Sequence, residues 1–367
     1  MVLIPVLDTS AGFAAQALAA TADLTTPVAV VEETVLERNL ARMATLARDS
    51  GLKLRPHAKT HKSPFIARRQ LEHGAVGLTA ATLHEAEVFA DAGAGDIFIA
   101  HPPVGAAKRR RLAELAGRGL RLAVAMDDAE LARDLPAGVE VMWEVDTGLH
   151  RVGTAPGEAT ARAVAGLPEG RLRGLFTHAG QSYAVERALA ARQEWEGLAE
   201  SAARLRADGI EVGELSVGSS PTAAWAAEAA AGGITEMRPG TYVFGDANQV
   251  ALGAQQLEDC ALGVVATVVA TPERERRVLD CGTKSISADS RVQALAGWGF
   301  VLGHPDLRIE RLNEEHAVVL GEADLKVGDR VVVIPSHACT SANLHPALLF
   351  VGAGEPRWEP VVARGWN

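Results

Sequence analysis

Between about residue 27 and residue 246 the chain alternates short apolar runs with longer stretches in which apolar residues recur every three or four positions. Short buried runs separated by amphipathic helices are the pattern of repeated βα units on a parallel sheet. The runs predict strands at 27–31, 52–56, 76–80, 96–100, 121–125, 139–146, 172–177, 211–217 and 233–237. Leu36, Leu40, Met43 and Leu46 fall on one face of a helix over 33–49, and 186–207 reads as a second, longer amphipathic helix. Eight or nine such units predict a TIM (β/α)8 barrel.

After residue 246 the texture changes. Segments 262–270, 277–280, 307–312, 316–320, 330–334 and 348–351 are short and rich in valine, with Gly, Pro, Asp and Asn between them, which predicts antiparallel β structure. The expected organisation is a barrel over 25–250 and a β domain formed by 1–24 and 251–367. The pattern leaves the first two dozen residues ambiguous, and the β domain is where they are expected to pack.

Composition narrows the partners. A chain of 367 residues with 48% hydrophobic content buries a core of this size without difficulty. A net charge of -10 argues against nucleic acid or an anionic membrane, and the only dense basic run, 108–111, reads as a solvated helix face. No apolar run reaches membrane-spanning length, and the first basic residue is Arg38, so no signal peptide is expected. Cys260, Cys281 and Cys339 are too few and too scattered for a disulfide scaffold. A cytoplasmic protein with a small-molecule substrate is expected.

In a barrel of this kind reactive groups gather at the C-terminal ends of the strands. Lys59, in LRPHAKTHK, follows the 52–56 run. A lysine in a pocket that excludes water loses its proton readily, and the neutral amine condenses with an aldehyde. Arg151 follows 139–146 in EVDTGLHRVG, and His178 and Tyr183 follow 172–177 in THAGQSY. Gly218, Ser219 and Ser220 follow 211–217 and lead into a helical run near Thr222, where N–H groups and hydroxyls suit a phosphate. Arg238, Gly240 and Tyr242 follow the last run in EMRPGTYVFGD. Taken singly these residues equally fit a solvated lysine, a helix cap, a core histidine and ion-paired arginines; their shared location argues for a site. In IPSHACTSANLH, extended backbone would point His337 and Cys339 to one face, an N/S pair that suits zinc. A buried free thiol beside a core histidine is the plainer alternative. Cys260 and Cys281 read as core.

Taken together, RPHAKTHK, EVDTGLHRVG, THAGQSY, SVGSSPT, EMRPGTYVFGD, LDCGTKSISAD, LNEEHA and IPSHACTSANLH resemble, in order and over nearly the whole chain, one enzyme family. It is the D-threonine aldolase and D-serine dehydratase family, fold-type III pyridoxal phosphate (PLP) enzymes related to alanine racemase. The resemblance implies a barrel joined to a β domain that carries a metal site, usually as a homodimer. It implies that Lys59 is the Schiff-base lysine, that His178 packs on the pyridine ring and that Arg151 lies near the phenolic oxygen. Gly218, Ser219 and Ser220 match the phosphate loop, with Gly240 and Tyr242 near it, and Tyr183 joins the cofactor-binding set. Arg238 matches the arginine that meets the ring nitrogen in alanine racemases. His337 and Cys339 match the metal pair of the dehydratases, for Zn2+ or another divalent ion such as Mn2+.

Aldolase relatives more often carry aspartate where Cys339 stands and a histidine near Gln181. The implied activity is therefore a PLP- and metal-dependent dehydration of D-3-hydroxy amino acids such as D-serine, D-threonine or 3-hydroxy-D-aspartate, giving a 2-oxo acid and ammonia. D-threonine aldolase cleavage to glycine and an aldehyde is the alternative. A racemase and a noncatalytic single-barrel PLP-binding protein match less well. Trp143, Trp225 and Trp298 are pocket wall or core.

Overall fold

The computed structural model describes residues 9–365. It divides into a barrel unit, mainly Ala41–Lys59 and Pro64–Gly240, and a sheet unit of residues up to Leu40 with Thr60–Ser63 and Thr241–Arg364. Of the predicted segments 1–24, residues 1–8 lie outside the described residues.

All nine predicted strands of the first region form, as β1 (Val28–Glu32), β2 (Lys53–Leu54), β3 (Leu78–Ala80), β4 (Asp96–Ile99), β5 (Arg121–Met126), β6 (Val139–Glu144), β7 (Leu172–Phe176), β8 (Glu214–Val217) and β9 (Glu236–Met237). Only eight build the parallel sheet, in the order β2-β9-β8-β7-β6-β5-β4-β3. Its two edges are joined by a parallel bridge between His57 and Thr79, with the Thr79 N–H donating to Pro56 O at 2.8 Å and the Val76 N–H to Leu54 O at 2.9 Å. The sheet thus closes into a barrel, with Phe98, Ala123, Ala125, Met142 and Phe176 packed together. Phe98 meets Phe176 edge to face at 4.9 Å. The basic run lies in the helix Ala106–Ala116, where Arg111 grips Glu87 with two hydrogen bonds and Arg109 faces Asp134.

The second region adds β10 (Leu262–Glu273), β11 (Arg276–Leu279), β12 (Gly299–Val301), β13 (Arg308–Leu312), β14 (Ala317–Leu320), β15 (Arg330–Pro335), β16 (Ala347–Val351) and β17 (Arg357–Pro360). β12 and β17 escaped the sequence reading, β12 because it is three residues long and β17 because RWEP has no apolar alternation. These strands and β1 form a nine-stranded sheet ordered β13-β14-β11-β10-β1-β16-β17, with β15 pairing β10 and β12. Its pairs are antiparallel except β1 with β16.

The placement of β1 corrects the expectation that 27–31 belongs to the barrel. All five of its residues are buried, so its pattern suits the middle of any sheet, and periodicity alone does not choose the partner. The partners that complete its ladders are β10 and β16. Val28 and Val30 then join Val265, Val332, Ile334, Leu349 and Val351 in one core, against which Phe13 and Ala17 of the helix Thr9–Ala20 pack. No helix among the described residues is long and apolar enough to cross a membrane.

Charges close the floor of the barrel. Arg173 hydrogen-bonds Asp96 through both terminal nitrogens at 2.8 Å and Glu214 at 2.8 and 3.2 Å, while Arg55 bonds Glu236 at 2.7 Å and Asp96 at 2.9 Å. Burial opposes the Asp96 charge, but the hydrogen bonds from Arg173 and Arg55 hold its carboxyl below the usual range. The Arg173 side chain is 1% exposed, so Arg173→Ala takes from Asp96 one of its two buried arginines and leaves Glu214 to half-exposed partners such as Arg121 at 3.5 Å. Chemical denaturation should show a loss of about 3–5 kcal/mol, the cost of breaking a buried pair by removing one partner.

Candidate active site

Parallel strands share a direction, so the loops that follow them open on one edge of the barrel. Lys59 lies half-buried in the 3₁₀ turn Ala58–Thr60 after β2. His178, just past β7, meets Gly218 O through Nδ1 at 2.9 Å. A carbonyl only accepts, so Nδ1 carries the proton and Nε2 the lone pair of the neutral ring. Burial, and then the charge of Lys59, push this imidazole down to about 3. His57 is pushed well below its ordinary value by burial, then by Lys59, His178 and Arg238.

The loop at Gly218, Ser219 and Ser220 follows β8. A Cβ at Gly218 would stand 3.0 Å from the Cβ and carbonyl oxygen of Arg238, so glycine permits the close approach of the β8 and β9 ends. The loop runs into a three-residue 3₁₀ turn, Ala223–Trp225, and then a helix of six residues, Ala226–Ala231. The expected helix N-terminus near Thr222 is therefore corrected to a short turn, whose dipole is small; hydroxyls and backbone groups are the polar resource here. Arg238 is buried, and its guanidinium donates to Ser216 Oγ, Val217 O and Thr177 O while lying 5.1 Å from the Phe176 ring and 5.7 Å from that of Phe98.

Arg151, in the loop after β6, is more exposed and stands 3.8 Å from Glu144 Oε1. Burial raises the Glu144 carboxyl to about 7 although Arg151 and Arg238 oppose the shift. Tyr183 ends the 3₁₀ turn Gly180–Tyr183. Gln181 in the same turn is buried, and its Nε2 donates to Thr147 O at 3.1 Å and Gln193 Oε1 at 3.3 Å. Trp143 is core, fully buried with its indole N–H on Thr154 Oγ1 at 2.9 Å. Trp225 carries the Arg187 guanidinium over its ring, and Trp298 that of Arg291.

The remaining predicted residues belong to the sheet unit, except Gly240, which ends the main segment of the barrel unit. Tyr242 is buried in the turn Thr241–Val243. His337 ends its extended stretch as the N-cap of the helix Ala338–Leu344, so Cys339 stands in a first helical turn rather than on a strand, which corrects the expected geometry. The two side chains still meet through a hydrogen bond. His337 offers no side-chain cap to the helix; the buried Asp246 does so instead, Oδ2 accepting the Ala338 N–H at 3.0 Å. Thr60 Oγ1 and Thr241 Oγ1 stand 3.2 and 3.6 Å from Cys339 Sγ. His337 Nδ1 faces Asp289 Oδ2 at 3.2 Å.

These surroundings fit the groups the family resemblance implies. In the barrel unit, His57 Nδ1 is buried with no protein partner, a nitrogen that a polar ligand satisfies. An amine, neutral imidazoles and a hydroxyl-bearing loop are the donor set for the aldehyde, ring and phosphate of PLP. In the sheet unit, burial opposes a charge on His337, yet Cys339, Asp246 and Asp289 raise it to about 9, so positive charge is favoured there. An imidazole whose other nitrogen faces a carboxylate, next to a thiol held by two hydroxyls, is the setting of a metal ligand pair. Among the described residues no group of three or more His, Cys, Asp or Glu side chains gathers as a metal site, so water or substrate would complete the coordination. Thr60, Thr241, Asp246 and Asp289 were missed because they come from four separate segments and none carries a motif of its own; His57 was passed over beside the more reactive Lys59.

Residues 31–248 match the family of alanine racemase N-terminal domains, and residues 261–351 match the putative serine dehydratase domain. The chain is 34% identical to a D-threo-3-hydroxyaspartate dehydratase of Delftia sp. (strain HT23), over 94% of this chain and 98% of that one. It is also 34% identical to a D-threonine aldolase of Arthrobacter sp, over 93% of each. Among solved structures, the Delftia dehydratase superposes with a TM-score of 0.83 at 33% identity, covering 94% of this chain and 99% of that one. Alanine variants of a D-threo-3-hydroxyaspartate dehydratase have been solved at a histidine and at a cysteine two positions later, the cysteine variant in a metal-free form. The chain therefore belongs to the D-threonine aldolase and D-serine dehydratase family of fold-type III PLP enzymes and is a PLP-dependent lyase of that family.

Proposed function

We propose that this lyase is a metal-dependent dehydratase of D-3-hydroxy amino acids that yields a 2-oxo acid and ammonia, working as a cytoplasmic homodimer with Zn2+ or a similar divalent ion. The observation that carries the reading is the His337 and Cys339 pair, with two threonine hydroxyls on the sulfur and Asp289 on the imidazole. The Delftia-type dehydratase variants, with their histidine and cysteine at the same spacing, support it.

When bound, PLP supplies an aldehyde for the substrate amine and a ring that draws off negative charge, and the metal supplies a Lewis acid for the β-hydroxyl. The chain's own residues do the rest. Lys59 Nζ takes the α-proton as general base. His178 stays neutral, so it packs on a ring without adding charge. Arg151 and Glu144 form a pair whose carboxyl titrates near neutrality. His337 Nε2 and the Cys339 thiolate would hold the metal, while Thr60 and Thr241 donate to the sulfur and restrain its orientation. Retro-aldol cleavage is the second reading, because the Arthrobacter aldolase is as similar in sequence as the dehydratase. It requires a base for the substrate hydroxyl. Gln181, already donating to Thr147 O, is an amide and does not take a proton.

The deciding assay incubates the PLP- and Zn-loaded protein with D-serine, D-threonine and 3-hydroxy-D-aspartate, scoring 2-oxo acid, ammonia, glycine and aldehyde with and without a chelator. Chelator-sensitive 2-oxo acid with equimolar ammonia is expected; glycine plus acetaldehyde from D-threonine would replace this reading with the aldolase. Lys59→Ala should lower turnover by about 10²–10⁴-fold, the range for a group that moves a proton. Cys339→Ala should keep the bound cofactor's visible absorption yet lose metal by elemental analysis, and Thr60→Val should weaken metal affinity by about 10–100-fold. By NMR, the His178 ring should hold its neutral Nδ1–H form from about pH 8 down to about pH 5, since burial and Lys59 keep it from protonating until about 3. A midpoint near 6.5 would show that the ring is solvated.

A further inference from the structure

Glu194 lies midway along the helix Arg187–Ala207, is 1% exposed, and has no part in the chemistry above. Its Oε1 accepts the N–H of Gly218 at 2.9 Å and that of Ala179 at 3.1 Å, and its Oε2 meets Thr222 Oγ1 at 2.8 Å. One carboxyl therefore ties the end of β7, next to His178, to the loop after β8. With two N–H groups on one oxygen, the hydroxyl on the other senses the protonation state. A carboxylate oxygen accepts from Thr222, whereas a protonated carboxyl donates to it.

The relay goes further. Thr222 Oγ1 lies 3.0 Å from Ser219 Oγ, which lies 3.4 Å from Ser182 Oγ, and Ser182 gives its own proton to Ala179 O at 2.6 Å. Such a chain of hydroxyls runs in one of two directions. With Glu194 ionised, Thr222 donates to it and Ser219 donates to Thr222, so Ser219 presents only lone pairs to the loop. With Glu194 protonated, Thr222 receives that proton and donates to Ser219, and the Ser219 proton is released from Thr222 for a ligand or, without one, for Ser182 Oγ. Phosphate oxygens are strong acceptors. Only the second direction matches them.

We propose that Glu194 is a proton-linked positioning residue for the cofactor phosphate: binding at Gly218 to Ser220 draws one proton onto Glu194, which turns the Thr222 and Ser219 hydroxyls toward the ligand. The inference rests on the reading of those three residues as the phosphate loop. Burial raises the Glu194 carboxyl to about 7 against its three hydrogen bonds and the charge of Arg238, so the proton is exchangeable near neutrality. Arg238, at the end of β9, is the charged group facing it and favours the ionised form; a bound phosphate acts in the opposite sense. His178 shares the loop through Gly218 O and stays neutral, and Glu228 of the following short helix is exposed. A ligand that prefers the protonated carboxyl raises its pKa in the complex. Affinity then falls as pH rises above about 7 and levels off below it.

The test uses the full chain freed of cofactor and titrates it with pyridoxine 5′-phosphate, whose alcohol does not condense with Lys59. Calorimetry at about pH 8 in two buffers of different ionisation enthalpy counts the protons taken up. Wild type should take up nearly one proton more than Glu194→Gln, and lose affinity by up to about tenfold per pH unit above neutrality. The glutamine keeps an oxygen for the two N–H groups and offers an N–H to Thr222, so it mimics the protonated acid. It should bind at least as tightly at pH 8, with no such slope. The second ionisation of the phosphate is common to both proteins and cancels. Thr222→Ala leaves the carboxyl in place but cuts the relay, and should bind more weakly with reduced proton uptake. Equal proton uptake and equal slopes in wild type and Glu194→Gln would overturn the inference while leaving the loop reading intact. Failure of wild type to bind pyridoxine 5′-phosphate would remove the loop reading, and the inference with it.

Discussion

The barrel depends on a constraint at its floor, where two buried arginines must each find carboxylates. Arg55 and Arg173 share Asp96 and divide Glu236 and Glu214 between them. Those five residues belong to β4, β7, β8 and β9 and to the segment directly after β2. A desolvated guanidinium without its partners costs several kcal/mol, so the network admits one register for these strands. Their far ends carry Lys59, His178, Gly218 and Arg238. Pinning one end of a parallel strand fixes which residue emerges at the other, because each residue adds a set rise of about 3.3 Å. The charge network and the hydrogen-bonded bridge between His57 and Thr79 thus act together on the mouth of the barrel, which neither residue type announces from its position in the chain.

The two units set opposite electrostatic conditions around their polar groups. In the barrel unit, burial and nearby cations keep His57 and His178 neutral, while burial lifts Glu144 and Glu194 toward neutrality against the pull of Arg238. The two carboxyls sit near the balance between protonation states, which suits proton movement at physiological pH. In the sheet unit, Cys339, Asp246 and Asp289 favour positive charge on the His337 ring against its burial. The chain leaves the barrel unit at Lys59, and the next residue, Thr60, already places its hydroxyl on Cys339.

Much of this was legible in the chain because its signals are local. Apolar runs separated by amphipathic helices mark the βα units, and the valine-rich segments after residue 246 mark the second sheet. Lys59, His178 and the His337 and Cys339 pair stand out because each is a reactive residue directly after a predicted strand. Other features carry no local signal. β1 is an apolar run like its neighbours, and its ladders with β10 and β16 decide its sheet. Glu194 reads as one more polar position in a long helix until its oxygens are seen on Gly218, Ala179 and Thr222.

The sequence by itself determined the fold class, the family and the residue types available for chemistry, since these rest on periodicity and on motifs within a few residues of one another. Tertiary structure alone decided which groups are desolvated, which carboxyls hold protons near neutrality, which tautomer His178 adopts and which hydroxyls reach the sulfur of Cys339. Those properties arise from contacts between residues tens to hundreds of positions apart, such as Thr60 with Cys339 across 279 positions. Burial and hydrogen bonding are properties of neighbours in space, and the order of the chain does not state who those neighbours are.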